Sequence, residues 1–245
     1  MCALSLACLK EFGQKVILIT DTMGKELLKD LPYDEIYTTL DDYDIRSEFW
    51  AAGKVIALGE VPLDAILIDT DLFLYDGSLI DKINELDVVC SHKETAAAYS
   101  DLLQFGSTFI PWINKVSNWS QSSNTGIIKC NNRHLKNMFF NAYFETIKIV
   151  DDKPTLMGDI QKVGQGMYCP DLLAEQFNYH ILCNPTPLVQ LPPQAWNLDG
   201  FSHPLAFEKY LHMPLIMDLL KKDFPKYYDI VINKWKDYDF SLEVI

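Results

Sequence analysis

The stretch Ala65-Ile66-Leu67-Ile68-Asp69-Thr70-Asp71 decides the fold. Four consecutive apolar residues that end in acids read as a buried strand delivering carboxylates to a sheet edge. Ligands of open α/β sheets bind outside the carboxyl ends of the strands. Asp69 and Asp71, one residue apart at such an edge, repel each other unless a cation lies between them. A hard divalent ion that also holds a diphosphate is the simplest resident. Apolar Leu72-Phe73-Leu74 follows at once, so the acids are embedded between buried segments and not set in a polar loop. The motif points to metal-dependent chemistry on a phosphate-bearing substrate.

Working outward, strands and helices alternate. Lys15 to Thr20 is a buried-type strand, with Asp21 and Thr22 placed to cap a following helix. Residues 34–37 are a short strand. Residues 47–58 read as a helix with Phe49, Trp50, Val55, Ile56 and Leu58 as its apolar positions. Residues 87–90 are a strand, 94–103 a helix, 126–130 a strand and 133–150 a long amphipathic helix. A helix over 171–182 opens at Pro170. Pro185, Pro187, Pro192 and Pro193 then mark an irregular stretch with an edge strand at Leu188-Val189. Helical segments around 205–220 and 227–235 follow. This alternation predicts an α/β protein with a mostly parallel central sheet flanked by helices, as a single domain over residues 1–245. One feature of the start departs from the usual order. Leu4, Leu6, Leu9 and Phe12 fit a helix ending at Gly13, ahead of any strand. A nucleotide-binding α/β domain normally opens with a strand whose loop touches the nucleotide. Either that opening strand lies outside this chain or the sheet is built without it.

Composition narrows the function classes. The apolar fraction is 49% and the charged fraction 22%, ordinary for a globular chain of 245 residues. A formal net charge of −13 disfavours wrapping a nucleic-acid backbone. An anionic nucleotide would need a local cation. The six cysteines, Cys2, Cys8, Cys90, Cys130, Cys169 and Cys183, form no C-x-x-C pair, which leaves a structural zinc site unsupported. Several lie in apolar runs and read as buried free thiols of a reducing compartment. No stretch is long and apolar enough to span a bilayer, and the N-terminus lacks the basic region and cleavage signature of a secretory signal. The expectation is a cytoplasmic protein, with room for peripheral membrane association.

Further residues join the two acids. His203 is a neutral-imidazole candidate to complete a metal shell, and Lys209, six residues on, could neutralise a leaving diphosphate. Lys54 stands among small and apolar neighbours on the helix before the metal strand. Asn124-Thr125-Gly126 could offer amide and backbone groups to a sugar. Glu175-Gln176 lies on a helix, and on its own an exposed polar pair is slightly the favoured reading. His92, after a strand end, is a weak candidate.

In this order the pieces resemble the GT-A fold of nucleotide-diphospho-sugar transferases, and in particular the glycogenin and bacterial lipooligosaccharide galactosyltransferase group. That group combines D-x-D, an N-[ST]-G strand start, an acid-Gln pair and H-x-G-x-x-K. The phrases Phe49-Trp50-Ala51-Ala52-Gly53-Lys54 and Ile68-Asp69-Thr70-Asp71-Leu72-Phe73-Leu74 are similar to uncharacterised bacterial proteins related to these and to capsular polysaccharide transferases. The resemblance implies that Asp69, Asp71 and His203 bind Mn2+ or Mg2+. It implies that Lys54 and Lys209, with Asp69, contact the nucleotide sugar, a UDP-sugar by preference, and that Asn124 and Glu175 face the sugar or acceptor as catalytic groups. The acceptor would be a glycan or lipid-linked. Pro204 and Ala206 replace the aromatic residue and the glycine expected after the histidine. Two rivals stand beside this reading. One is a GT-A-like protein that has lost turnover. The other is a haloacid-dehalogenase-type phosphatase, which also places D-x-D after a strand but wants Thr or Val where this chain has Phe73.

Overall fold

A computed structural model describes residues 1–44, 49–95, 110, 121–151, 173–189, 200–204 and 208–236. In chain order the first elements are α1 (Cys2–Glu11), β1 (Ile17–Ile19), α2 (Thr22–Leu28), β2 (Glu35–Tyr37), α3 (Ala52–Glu60), β3 (Leu67–Ile68) and β4 (Phe73–Leu74). Next come α4 (Ser78–Glu85), β5 (Val88–Thr95), β6 (Gln121–Cys130) and α5 (Arg133–Asp151). A π-helical turn (Leu173–Phe177) leads into α6 (Asn178–Cys183), followed by β7 (Thr186–Pro187), β8 (Phe201–Ser202), α7 (Glu208–Leu211), α8 (Met213–Asp223) and α9 (Pro225–Trp235). The chain divides into two compact units. The first gathers Met1–Thr38, Thr70–Gly77 and Pro193–Ile245; the second gathers Thr39–Asp69 and Ser78–Pro192.

In the first unit β1 and β2 pair in parallel through the α2 crossover, and β4 pairs antiparallel with β8. The Asp21 side chain accepts a hydrogen bond from the Gly24 amide at 2.6 Å, the cap read from the sequence. The core sets Leu4, Leu6 and Cys8 of α1 against Phe73 of β4 and against Ile216 and Leu220 of α8. Pro214 and Pro225 open α8 and α9 at positions where a missing N–H costs no helical hydrogen bond.

The second unit holds a four-stranded sheet in the order β3-β6-β5-β7. β6 runs antiparallel to both β3 and β5, while β7 is parallel to β5. Three strands therefore share a direction and β6 is reversed between two of them. The pairings are mixed where a mostly parallel sheet was expected. The strand read over 126–130 begins earlier, at Gln121, and its polar half pairs with Lys93, Glu94 and Thr95 in an antiparallel ladder. The apolar half alone gave no sign of that direction.

Other boundaries shift for similar reasons. The helix expected from 94 is strand through Thr95, and residues 96–103 lie outside the described set. The helix expected from 47 begins at Ala52, leaving Phe49 buried and Trp50 59% exposed ahead of it. Within 171–182, residues 171–172 lie outside the described set and the remainder is the π turn running into α6. Leu188 and Val189 continue beside β5, donating to the carbonyls of Cys90 and Ser91 at 2.9 and 3.1 Å.

Helices α3 and α5 cover this sheet. Val55 and Leu58 pack with Phe139, Tyr143, Ile147, Cys90 and Ile128. The Tyr179 hydroxyl of α6 reaches the carbonyls of Val89 and Lys129 at 2.9 and 2.8 Å, fixing α6 to two strands. Buried Lys129 donates to the carbonyls of Ile83 and Asn84, orphan acceptors at the end of α4. Among the described residues no helix is long and apolar enough to cross a membrane.

Candidate metal centre

Between Cys90↔Ile128 and His92↔Asn124 the β5–β6 register slips, with one residue on β5 facing three on β6. This irregularity is the Asn124-Thr125-Gly126 motif at work. A bulge frees backbone groups from the ladder, and buried ones must find partners. The Gly126 amide donates to Asn124 Oδ1 at 3.0 Å, and the Ile127 amide donates to Ser91 Oγ at 2.8 Å. The Gly126 carbonyl accepts from the Asp69 amide at 2.8 Å. The Thr125 carbonyl accepts from Lys54 Nζ at 3.0 Å. The bulge thus positions the end of β3, where Asp69 stands, and the ammonium of α3.

Lys54 is the hub of this part of the second unit. Its Nζ lies 2.8 Å from Asp69 Oδ1 and 2.8 Å from Glu175 Oε1. Burial opposes the lysine charge, but the two carboxylates outweigh it and hold the ammonium well above its usual range. Glu175 is fully buried on the π turn, and among the described residues no hydrogen bond of good geometry reaches either of its oxygens. Burial raises its carboxyl, Asp69 adds to this, and Lys54 only partly offsets it. A buried carboxyl held above its ordinary range can accept or give a proton. The exposed polar pair slightly favoured for Glu175-Gln176 is corrected: both residues are buried.

The first unit carries a second group. Lys209, in the single turn of α7, forms an ion pair with Asp71 Oδ2, and His203 Nε2 lies 3.5 Å from Asp71 Oδ1. Burial works against the Asp71 charge, yet His203 and Lys209 together keep its carboxyl well below the usual carboxylate range. β4 and β8 explain the meeting, since Phe73 pairs with Ser202 and so brings 71 and 203 to the same end of a ladder. Asp71 and His203 of this unit each offer one ligand atom, and Asp69 stands two residues back along the chain from Asp71. Two carboxylates and an imidazole suit a divalent ion, and the imidazole favours manganese over magnesium.

Several polar residues escaped the sequence reading, and His92, a weak candidate placed after a strand end, lies within β5. Glu94, assigned to a helix, is on β5 and accepts from Asn124 Nδ2 at 2.9 Å. Buried His92 brings Nε2 to 3.3 Å from Glu94 Oε1, at an angle that makes no hydrogen bond. The i, i+2 spacing of His92 and Glu94, one strand face, was the available signal. On the alternate residues Lys93 Nζ, Ser123 Oγ and His180 Nδ1 lie 3.0 to 3.1 Å apart.

That last group makes stability depend on pH. Burial, helped by the Lys93 ammonium, pushes His180 down to about 4 from 6.5. The unfolded chain therefore binds a proton between these values that the folded chain refuses. Stability is complete above pH 6.5 and declines as pH falls toward 4, by on the order of 1–2 kcal/mol once partial exposure is discounted. Urea melts of wild type and His180→Gln at pH 7 and pH 4.5 check this. The variant should lose less on acidification, and equal losses would remove His180 as the cause.

The chain belongs to a family of unknown function (DUF6734), whose family model matches residues 1–234. No curated protein matches it, and no solved structure matches it.

Proposed function

We propose that this member of DUF6734 is a metal-dependent glycosyltransferase of GT-A type that uses a nucleotide-diphospho-sugar donor. The single observation that carries the reading is the group of Asp71 and His203, with Asp69 two residues upstream and Lys209 beside it. Three co-directional strands in the four-stranded sheet, one of them leading into Asp69, support the GT-A assignment. Asp69, Asp71 and His203 would hold Mn2+ or Mg2+. The bound ion supplies positive charge for a diphosphate as the glycosidic bond breaks. Lys209 carries a second positive charge on the same carboxylate and is free to turn to a phosphate oxygen once Asp71 has another cation. Lys54 orients Asp69 through their 2.8 Å contact. Glu175 and Asn124 present a carboxyl and an amide to the sugar or acceptor. A UDP-sugar donor, a glycan or lipid-linked acceptor, peripheral membrane attachment and a cytoplasmic, bacterial polysaccharide setting complete the proposal.

One observation favours a second reading. Asp71 already has the Lys209 ammonium as a partner within the chain, with His203 beside it, so the group can persist as an ion pair in a protein that has lost turnover. Calorimetric titration separates the two. UDP should bind in the presence of manganese and not after its removal by EDTA. Binding that ignores the metal, or no binding in either condition, rejects the transferase reading.

A further inference from the structure

Lys93 of β5 and Ser123 of β6 face each other across the ladder of the second unit, and α6 adds His180 to them. Lys93 Nζ donates to Ser123 Oγ at 3.0 Å and lies 3.1 Å from His180 Nδ1, which is itself 3.0 Å from Ser123 Oγ. Both neighbours are neutral groups, and among the described residues no carboxylate pairs with this ammonium. Glu94, next in sequence, points to the other side of the strand and accepts from Asn124. Other enclosed lysines are held differently. Lys54 and Lys209 have carboxylates, and Lys129 and Lys136 have backbone carbonyls. Ser123 is fully buried, while Lys93 and His180 keep part of their surface in solvent. Burial weakens the Lys93 ammonium below the ordinary lysine range.

We propose that Lys93 is an imine-forming lysine, whose amine, held between Ser123 and His180, condenses reversibly with a small aldehyde. The site is independent of the transferase reading. A neutral amine has two N–H bonds and one lone pair. With the two N–H bonds given to Ser123 Oγ and His180 Nδ1, the lone pair points away from buried Ser123 and is left to attack. The nitrogen adds to the carbonyl carbon, a C–N bond forms and the C=O π pair moves to oxygen. One amine proton passes to that oxygen and gives a carbinolamine. The C–O bond then breaks, the N=C bond forms, and the second amine proton leaves with the oxygen as water. Nothing is oxidised or reduced. Ser123 Oγ and His180 Nδ1, already the acceptors of those two N–H bonds, stand where the protons depart. β5, β6 and α6 crowd the nitrogen, which limits the carbonyl partner to a small one.

The test treats the full chain at pH 7 with propanal and sodium cyanoborohydride, which reduces an imine to a stable secondary amine, and follows each lysine by peptide mapping over time. Lys93 should be labelled at least about tenfold faster than exposed Lys25 and Lys226, because more of it is neutral amine. Lys136 controls for burial alone. Its ammonium is also weakened by burial, but it is 6% exposed with Nζ on the Val61 carbonyl, so it should label more slowly than the exposed lysines. His180→Glu supplies the missing carboxylate and should bring Lys93 down to the rate of Lys25. Lys93 labelled no faster than Lys25 and Lys226, Lys136 labelled as fast as Lys93, or a glutamate variant that labels like wild type would each overturn the proposal. The ranking of lysines in the wild type decides even where the variant fails to fold.

Discussion

If the proposed transferase activity holds, Asp71→Asn should abolish manganese-dependent hydrolysis of a UDP-sugar, by about a thousandfold, and leave the melting temperature within a few degrees of wild type. The size follows from what is removed. On that reading a bound ion would lose a charged ligand, and the negative charge on a leaving diphosphate would lose its fixed counter-charge; one such electrostatic contact commonly accounts for about 10²–10³ in rate. The amide keeps the shape of the carboxylate. His203 keeps a hydrogen-bonding neighbour, and Lys209, about one-third exposed, can turn to water. The loss should fall on the metal-dependent part of the rate, so it is measured as the difference between manganese and EDTA. Equal metal-dependent rates in wild type and variant, above a no-enzyme blank, would sink the role of Asp71.

Lys54→Met carries the largest stability penalty. The ammonium lies 2.8 Å from each of two carboxylates, one of them fully buried, and also satisfies the Thr125 carbonyl of the bulge. Removing one partner from a buried ion group leaves uncompensated charge, which costs about 3–5 kcal/mol. For a chain of this size the melting temperature should fall by roughly 10 °C. The double variant Lys54→Met with Glu175→Gln should recover much of the loss, since it removes the charge left behind. The single variant should also be less handicapped at pH 5 than at pH 8, because Glu175 can take up a proton in place of its lost partner. A single variant as stable as wild type, or a double variant worse than the single, would place the energetics of this group elsewhere.

The sequence made Asp69, Asp71, His203 and Lys209 visible because acids after an apolar strand are a local pattern, and a histidine and lysine near a helix start complement it. Lys54 was visible through its apolar setting. What remained hidden depended on pairing between distant segments. Nothing near Asn124 announces that its amide caps a bulge amide, because the slip exists only against β5. Glu94 looked helical because the residues after it continue a helical spacing; the strand assignment comes from Ser122, its partner across the ladder. The mixed sheet was missed for the same reason, since residues 126–130 are apolar in either direction and direction is set by residues 121–125. His180 stands alone in the sequence, and only the ladder brings Lys93 and Ser123 to it.

The division of the chain has a consequence for its synthesis. The first unit draws on three separate segments, and its core sets Leu4 and Leu6 against Phe73, Ile216 and Leu220. A ribosome therefore delivers the two leucines long before it delivers Ile216. The second unit ends at Pro192 and can fold while the first still waits for its C-terminal helices. During that interval α1 shows water the apolar face it later buries, which is the kind of surface that chaperones hold and proteases cut. Nascent chains truncated after 192 should keep the α3, β5, β6 and α5 elements of the second unit protease-resistant while α1 is cut.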